Sequence, residues 1–145
     1  MELRQVFDDL IRFETDLWNG IDATLRRDRG VPLGSVNVML VVEDTPGCRV
    51  NDIAAALSIT VGGASQAVDR LVAKGHCERR PSPTDRRSSI VELTDAGREL
   101  LASAGPLLDR ELETRLRGPL PAAEFAQFAA AVAELRAATP HPLDA

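Results

Sequence analysis

The segment spanning residues 85–97 constrains the fold of this chain more than any other part of its sequence. Two adjacent arginines, Arg86 and Arg87, precede residues 89–93, where polar and apolar side chains alternate as they do in a β-strand. Residues 77–80 form a second short strand-like segment, and the residues that follow them are rich in proline and serine. The pattern predicts a two-stranded hairpin with an arginine-rich tip, which we call the wing.

Helical patterns precede the wing. Apolar residues recur every three or four positions over residues 2–27, and a second apolar segment covers residues 33–43, so each predicts a helix. Two shorter helices follow, with a three-residue turn between them. Asn51 or the residue before it caps the first, and Thr60 caps the second, which Gly75 ends. Two helices joined by so short a turn predict a helix-turn-helix, directly followed by the wing.

Two more helices are predicted after the wing. Thr94 caps a fifth helix, in which Pro106 is expected to produce a kink near residues 103–105. The chain restarts after Pro121 as a sixth helix. The predicted fold class is mainly α with a small β wing (α+β), a winged helix-turn-helix in a single domain over residues 1–145.

The distribution of charge is more informative than the net charge of −5. Residues 58–90 carry six basic and three acidic side chains, a net +3, so the remainder carries −8. Exposed charges more than about 10 Å apart are largely screened at 0.1 M salt, so a basic face on an acidic body can still bind phosphate. No apolar run approaches the roughly 18 residues that span a bilayer, and the N-terminus does not resemble a signal peptide. We therefore expect a cytoplasmic protein with no membrane partner.

The start of the fourth helix has the composition of a helix that enters a DNA groove. Gly62 and Gly63 each cost about 1 kcal/mol relative to alanine in a helix interior, but they let the backbone approach DNA closely. A helix N-terminus, here capped by Thr60, also favours phosphate oxygens. Ser65 and Gln66 can reach base edges, and glutamine has the bidentate geometry for adenine. The alternative is a loosely formed helix start without a role in binding.

Arg70 and Lys74 lie four residues apart on the same helix. They are candidates for contacts to backbone phosphates, or else they form an ordinary solvated face. Asp69 is expected to orient Arg70 rather than to touch DNA, although Arg70 could instead pair with Asp52.

The wing tip is the second candidate contact. A guanidinium at a hairpin tip can enter a narrow minor groove, where the potential is most negative, so Arg86 and Arg87 are the candidates for this role. Asp85 is expected to accept hydrogen bonds that fix the loop. Arg79 and Arg80, on the neighbouring strand, are expected to touch phosphates. The alternative is a surface cluster of charges with an internal salt bridge.

Four motifs occur in order along the chain: Val50-Asn51-Asp52-Ile53-Ala54, Ser65-Gln66-Ala67-Val68-Asp69-Arg70-Leu71 with Gly75, Asp85-x-Arg87, and Val91-x-Leu93-Thr94-x-x-Gly97. They resemble the MarR family of bacterial winged helix-turn-helix regulators, and the resemblance covers nearly the whole chain. It implies a homodimer built by the first, fifth and sixth helices, at about residues 1–29 and 98–138, around a DNA-binding lobe at about residues 33–97.

The resemblance also implies a function. Members of this family often repress transcription by binding a palindromic operator in double-stranded DNA, and Arg87 matches the wing arginine that would enter the minor groove. Many members release DNA when a small phenolic or lipophilic effector binds between the dimer helices and the winged lobe. The candidate pocket residues here are Phe13, Trp18, Val36, Met39 and Leu40, although the same spacing describes ordinary core.

Other function classes have weaker support. Cys48 and Cys77 leave a cysteine-based redox-sensing regulator open, although buried, inert cysteine is the commoner state. His76 and His141 do not lie at metal-ligand spacing from cysteines or carboxylates, and Gly62-Gly63 lacks the flanking pattern of a nucleotide-binding loop. We therefore expect no metal, no cofactor and no enzymatic activity. A winged-helix module that binds proteins without DNA is the remaining alternative, since a fold does not fix a function.

Overall fold

The computed structural model describes residues 2–140, which form a mainly helical architecture with one small sheet. The elements in chain order are α1 (Leu3–Arg29), α2 (Leu33–Asp44), α3 (Val50–Leu57), α4 (Val61–Ala73), β1 (Cys77–Pro81), β2 (Ser89–Leu93), α5 (Asp95–Leu112) and α6 (Ala122–Ala138). The two strands pair antiparallel, with Cys77 opposite Leu93 and Pro81 opposite Ser89. The predicted winged helix-turn-helix is confirmed.

Local capping sets the starts of α4 and α5 and the end of α4, as the sequence predicts. Thr60 caps α4 and Thr94 caps α5, because each hydroxyl accepts the backbone N–H of the residue three positions on, Gly63 at 2.9 Å and Gly97 at 3.1 Å. Gly75 follows α4 with a φ of 79°, a left-handed conformation that a side chain would strain. These contacts fix where the helix-turn-helix ends and the wing begins.

The start of α3 differs from the prediction. The helix is capped by Arg49, one position before the earliest residue expected, and not by Asn51 or Val50. The reason is that Asp52 accepts the backbone N–H of Arg49 through its carboxylate, with 2.9 Å between Arg49 N and Asp52 Oδ2. The carboxylate thus satisfies a donor at the helix start, and the chain can enter α3 one residue sooner.

The core joins the winged lobe to the second half of α1. Its most deeply buried side chains come from α1, α2, α3, α4 and β2 respectively: Leu25, Met39, Ile53, Leu71 and Val91. The backbone N–H of Val91 also donates to the Cys48 carbonyl at 2.7 Å, so β2 is held on both of its edges. The wing is therefore anchored at its base by both packing and hydrogen bonds.

The first half of α1 and the face of α6 are apolar but exposed. Leu3, Phe7 and Leu10 are 83%, 66% and 48% exposed, and Leu135 of α6 is 65% exposed. The burial of α1 is confined to residues such as Ile21 and Leu25 in its second half. Within the described residues, no helix is both long and apolar enough to cross a membrane.

The end of the fifth helix has a feature that the sequence did not predict. A π-helical turn spans Glu113–Arg117, and the N–H of Gly118 donates to the Glu113 carbonyl at 2.7 Å. Arg115 lies across Gly20 of α1, where a Cβ would collide with the guanidinium. Pro106 lies inside α5, and the kink expected there stays a prediction.

Candidate nucleic-acid interface

The first turn of α4 presents bare backbone on the surface. Gly62 has open space around it, so that a Cβ at this position would meet nothing within 4 Å, and Gly63 lies against its own helix cap, Thr60. Ala64 and Val68 face the core, whereas Gln66 is exposed. The helix therefore offers its N-terminal N–H groups and Gln66 to solvent, on the side where a groove-reading helix would need them.

Asp85 organises the wing tip. Its Oδ1 accepts the backbone N–H of Arg87 at 2.9 Å, which confirms the hydrogen bond expected of this carboxylate. The carboxylate is thus used by the loop backbone, and the guanidiniums of Arg86 and Arg87 form no ion pair with any residue in the range 2–140. Both side chains are exposed at the tip. The wing tip therefore carries two cations whose charge no neighbour in this range neutralises.

Asp69 does not orient Arg70, contrary to the sequence-based expectation. Its Oδ1 instead accepts Nη2 of Arg79 at 2.8 Å, and the same nitrogen lies 3.4 Å from Oγ of Ser65. The other end of this guanidinium donates to Ser89 on β2 at 3.4 Å. Arg79, which we expected at a phosphate, thus joins the wing to α4, because β1 brings it beside the helix face that carries Asp69.

Arg80 is also paired within the wing. Its guanidinium lies 3.4 Å from Glu78 on the same strand and 3.1 Å from Glu92 on β2. Arg80 is 61% exposed, and pairs of this kind contribute at most about 1 kcal/mol. Its side chain can therefore leave the pair at little cost, whereas the several contacts of Arg79 make that residue harder to free.

Arg49 belongs to the site although the sequence analysis did not single it out. From the start of α3 its Nη2 donates to Ser82 Oγ at 2.8 Å and to Thr84 Oγ1 at 3.3 Å, and Nη1 contacts Ser88 Oγ. These partners lie 33 to 39 positions away in sequence, so no local pattern could reveal them. The four hydroxyl residues at positions 82, 84, 88 and 89 are the one signal that could have suggested a polar anchor.

The helix α4, which we call the recognition helix because it is the predicted groove-entering helix, encloses with the wing a groove of about 420 Å³. Residues from α3, α4 and the wing line it, among them Asn51, Val61, Ser65, Arg79 and Arg87. The structure thus brings four of the predicted contact residues, Ser65, Arg79, Asp85 and Arg87, to one groove. Arg70 lies further along α4 and Lys74 directly follows that helix, and both are exposed and without an ion-pair partner in the described part of the chain.

A larger cavity of about 850 Å³ lies between α1, α2 and the helix-turn-helix. Of the five predicted pocket residues, Trp18 lines it. Val36 and Met39 are fully buried in the core instead, Leu40 is half-buried, and Phe13 is exposed on α1. Residues that were not predicted for the pocket complete the lining: Asp22, Arg26, Pro32, Gly34, Ser35, Asn37, Val38, Leu57, Ile59, Gly63, Ala67 and Arg70. The cavity therefore reaches the recognition helix.

Asp22 fixes the geometry on one side of this cavity. Its Oδ1 accepts the N–H of Leu33 at 2.9 Å and its Oδ2 accepts from Arg26 at 2.8 Å. The hydrogen bond from the Leu33 amide, with a smaller effect from Arg26, lowers the pKa of the Asp22 carboxyl. Arg26 is thus already paired where it lines the cavity, whereas Arg70 opposite it has no carboxylate partner within residues 2–140.

The two cysteines are buried at the base of the wing. Burial raises the pKa of the Cys48 thiol and of the Cys77 thiol to about 11, and the charge of Asp52 adds to the effect at Cys48. Thiolate is the reactive form, so both side chains are poor nucleophiles near neutral pH. This chemistry weighs against the redox-sensing alternative.

Metal-binding side chains do not cluster in the described part of the chain. Within residues 2–140, no three His, Cys, Asp or Glu side chains come together in an arrangement that could hold a metal ion. His141 lies outside the described residues.

Comparison with known proteins finds a family that the middle of the chain resembles. The model of the MarR family matches residues 29–88, from the end of α1 to the wing tip. The multiple antibiotic resistance protein MarR of Escherichia coli is 37% identical over 70 residues, which cover 48% of this chain and 49% of that protein. Over this segment the chain is similar to the MarR family. It spans about half the length of the curated relatives it matches.

Solved structures of MarR-family proteins share the fold over nearly the whole chain. Sco3205 from Streptomyces coelicolor, solved in complex with DNA, has a TM-score of 0.86 at 24% identity and covers 94% of this chain and 91% of its own. The transcriptional repressor CouR, bound to a 23-mer DNA duplex, has a TM-score of 0.81 at 26% identity and covers 94% of this chain and 98% of its own. MarR-family members are transcriptional regulators and not enzymes.

Proposed function

We propose that this protein is a sequence-specific DNA-binding transcriptional regulator that acts as a homodimeric repressor on a palindromic operator. The observation that carries the proposal is the juxtaposition of the bare first turn of α4 with a wing tip whose two arginines have no ion-pair partner in the described chain. Such a surface can place a helix in the major groove and the wing in the adjacent minor groove. We also propose the cytoplasm as its location, because its target is DNA.

The charge pattern supports duplex binding over a purely protein-binding module. Arg87 lines the groove, Arg86 is next to it at the wing tip, and Arg70 and Lys74 lie further along the chain from the start of α4. None of the four has an ion-pair partner among residues 2–140. A homodimer would double these four cations to eight. If each neutralises one phosphate, the logarithm of affinity should fall with the logarithm of salt concentration with a slope of about −7. A module that binds proteins but no DNA through this surface would not show this salt dependence of duplex affinity.

The homodimer is supported by the exposed apolar faces of α1 and α6. Leu3, Phe7 and Leu10 form one such face, and Val132 and Leu135 form the other. Contiguous apolar surface of this kind is seldom left open to water in a soluble protein. Pairing through these helices would present two winged lobes to half-sites about 34–36 Å apart, one helical turn of DNA.

The experiment that tests DNA binding combines selection with substitution. Duplexes that bind the full chain would be selected from a random pool and their affinities measured by a fluorescence titration. Arg86→Ala with Arg87→Ala should weaken binding at least about tenfold, because two groove contacts are lost while the fold, which makes no use of these guanidiniums, is kept. The matched control is Arg110→Ala with Arg136→Ala, two exposed arginines outside the winged lobe. A wild-type chain that binds no duplex at low salt would refute the proposed function.

We also propose that a small phenolic or lipophilic effector occupies the cavity that Trp18 and Arg70 line. The cavity of about 850 Å³ lies within the size range of small-molecule sites, and it touches both α1 and the recognition helix. An occupant could therefore move α4 relative to α1 and weaken DNA binding. The indole of Trp18 is the single tryptophan in the sequence, so its fluorescence reports on the site. Titration with a hydroxybenzoate should change that fluorescence and release the duplex together; a fluorescence change with full DNA affinity would refute the coupling.

A further inference from the structure

A hydrogen-bond network connects the start of α3 to the wing loop. Its first part is the guanidinium of Arg49, which reaches Ser82 Oγ at 2.8 Å, Thr84 Oγ1 at 3.3 Å and Ser88 Oγ. These hydroxyls come from both sides of the loop, before and after the tip. One side chain thus closes the loop from below, at the point where β1 and β2 part.

Ser82 extends this hydrogen-bond network to the wing tip. It is 7% exposed, and its Oγ also accepts the backbone N–H groups of Thr84 at 3.3 Å and Asp85 at 3.2 Å. Asp85 in turn accepts the backbone N–H of Arg87 at 2.9 Å. A continuous path of hydrogen bonds therefore runs from Arg49 through Ser82 and Asp85 to Arg87.

The backbone of Arg49 is fixed at the start of α3. Its backbone N–H donates to Asp52, which fixes it as the cap of α3, and Ile53 directly after Asp52 is completely buried. Its guanidinium has hydroxyl partners and no carboxylate partner in the described chain. The anchor therefore orders the loop without neutralising positive charge close to the wing arginines, which a carboxylate partner would do.

We propose that Arg49 is a positioning residue for DNA binding, which sets the place of the wing against α3 and α4 and so controls affinity through Arg86 and Arg87. The inference rests on the proposed function, because it assumes that these two arginines contact DNA. Two other roles compete with it. Arg49 could contact a phosphate directly, or it could support the fold in general without a particular effect on the wing.

The test is a double-mutant cycle on a selected duplex of about 30 base pairs, long enough for two half-sites. Arg49→Met removes the fork of donors and keeps an unbranched side chain. It should weaken binding about tenfold in the wild-type chain, since a hydrogen bond to a charged group is worth a factor of this order. In the chain that already carries Arg86→Ala and Arg87→Ala, the same change should weaken binding by less than about twofold. Equal losses in the two backgrounds would overturn the proposal, as would no loss in the wild type.

Arg49→Lys separates geometry from charge. Lysine keeps the positive charge but cannot span three hydroxyls with a planar fork. The proposal requires that Arg49→Lys binds as weakly as Arg49→Met. Affinity restored by lysine would mean that Arg49 acts as a phosphate contact, and the proposal would be wrong.

A measurement without DNA completes the test. Arg49→Met and the milder Ser82→Ala should both raise amide hydrogen exchange across residues 82–88 and leave exchange in α4 unchanged, because only the loop loses its anchor. Exchange that stays slow in the loop, or that rises equally in α4, would overturn the proposal. If the wild-type chain binds no duplex at all, the proposed function fails and this inference falls with it; if it binds and Arg49→Met binds equally well, only the inference fails.

Discussion

Gly97 should be the glycine of this chain that tolerates a methyl group least. It is buried in the first turn of α5, where that turn packs on the backbone of His76. A Cβ at this position would overlap the carbonyl oxygen of His76 and lie 3.0 Å and 3.3 Å from its carbonyl carbon and Cα. The His76 backbone cannot move aside easily, because its N–H donates to Leu71 at 2.9 Å and its carbonyl accepts from Thr94 at 3.1 Å.

The cost of Gly97→Ala follows from these contacts. Forcing an extra methyl group into packed structure costs about 1–3 kcal/mol. If α5 shifts to make room, the bonds of Thr94 to the His76 and Gly75 carbonyls are strained or lost, at about 1 kcal/mol each. The better helix propensity of alanine offsets about 1 kcal/mol of this cost. The net loss in the free energy of unfolding should be about 2–4 kcal/mol.

Urea unfolding followed by circular dichroism measures this difference. With a slope of about 2 kcal/mol per molar urea, the midpoint should fall by about 1–2 M. Gly62→Ala is the matched control, because Gly62 is also in a first helical turn but has open space around it, and it should raise stability by about 0.5–1 kcal/mol. A Gly97→Ala midpoint equal to or above that of the wild type would refute the argument that the backbone contact forbids a side chain.

Three further predictions concern function and pH. Gly62→Ala should weaken duplex binding several-fold while it stabilises the fold, because the methyl group keeps the start of α4 from DNA; unchanged affinity in a titration would place that turn away from the duplex. Phe7→Glu with Leu10→Glu should give a monomer in sedimentation equilibrium with native helix content, and a persistent dimer would place the interface elsewhere. The raised thiol pKa of Cys48 and of Cys77, about 11 against an ordinary 9.0, means that their contribution to stability is complete below about pH 9 and is lost between about pH 9 and 11. Replacing both cysteines by alanine should reduce this loss of stability between about pH 9 and 11, as measured by urea unfolding. An equally large loss in the variant would contradict its attribution to the two thiols.

The elements were predictable because their determinants are local. The hydroxyls of Thr60 and Thr94 act within three residues, and the left-handed turn at Gly75 needs only that residue. The alternating pattern of β2 likewise follows from the two faces of a strand. The start of α3 was placed one residue too late because arginine is not among the usual helix caps, and the carboxylate of Asp52 took over that role from inside the helix.

Residues of the candidate site could be proposed from the sequence, whereas the contacts between them could not. Arg86, Arg87 and Gln66 could be named from the sequence, since their surroundings are a hairpin tip and a helix start. The partners of Arg79 and Arg49 could not, because the contacts join segments that lie up to 39 positions apart. The cavity shows the same limit: the helical spacing of Val36 and Met39 describes a core side chain and a pocket side chain equally well, and only the packing of α1 on α2 separates them from Trp18.

The arginines of the winged lobe differ in what it costs them to contact a phosphate, and this difference ranks their roles. Arg86 and Arg87 have no partner to leave within residues 2–140, so a contact to DNA costs them only side-chain entropy. Arg80 would first leave two exposed carboxylates, which contribute at most about 1 kcal/mol. Arg79 is 31% exposed and would give up Asp69, Ser65 and Ser89 together. Charge alone would treat these residues alike. The costs instead rank Arg86 and Arg87 first among the proposed DNA contacts and Arg80 second, and they leave Arg79 as a brace between the wing and α4.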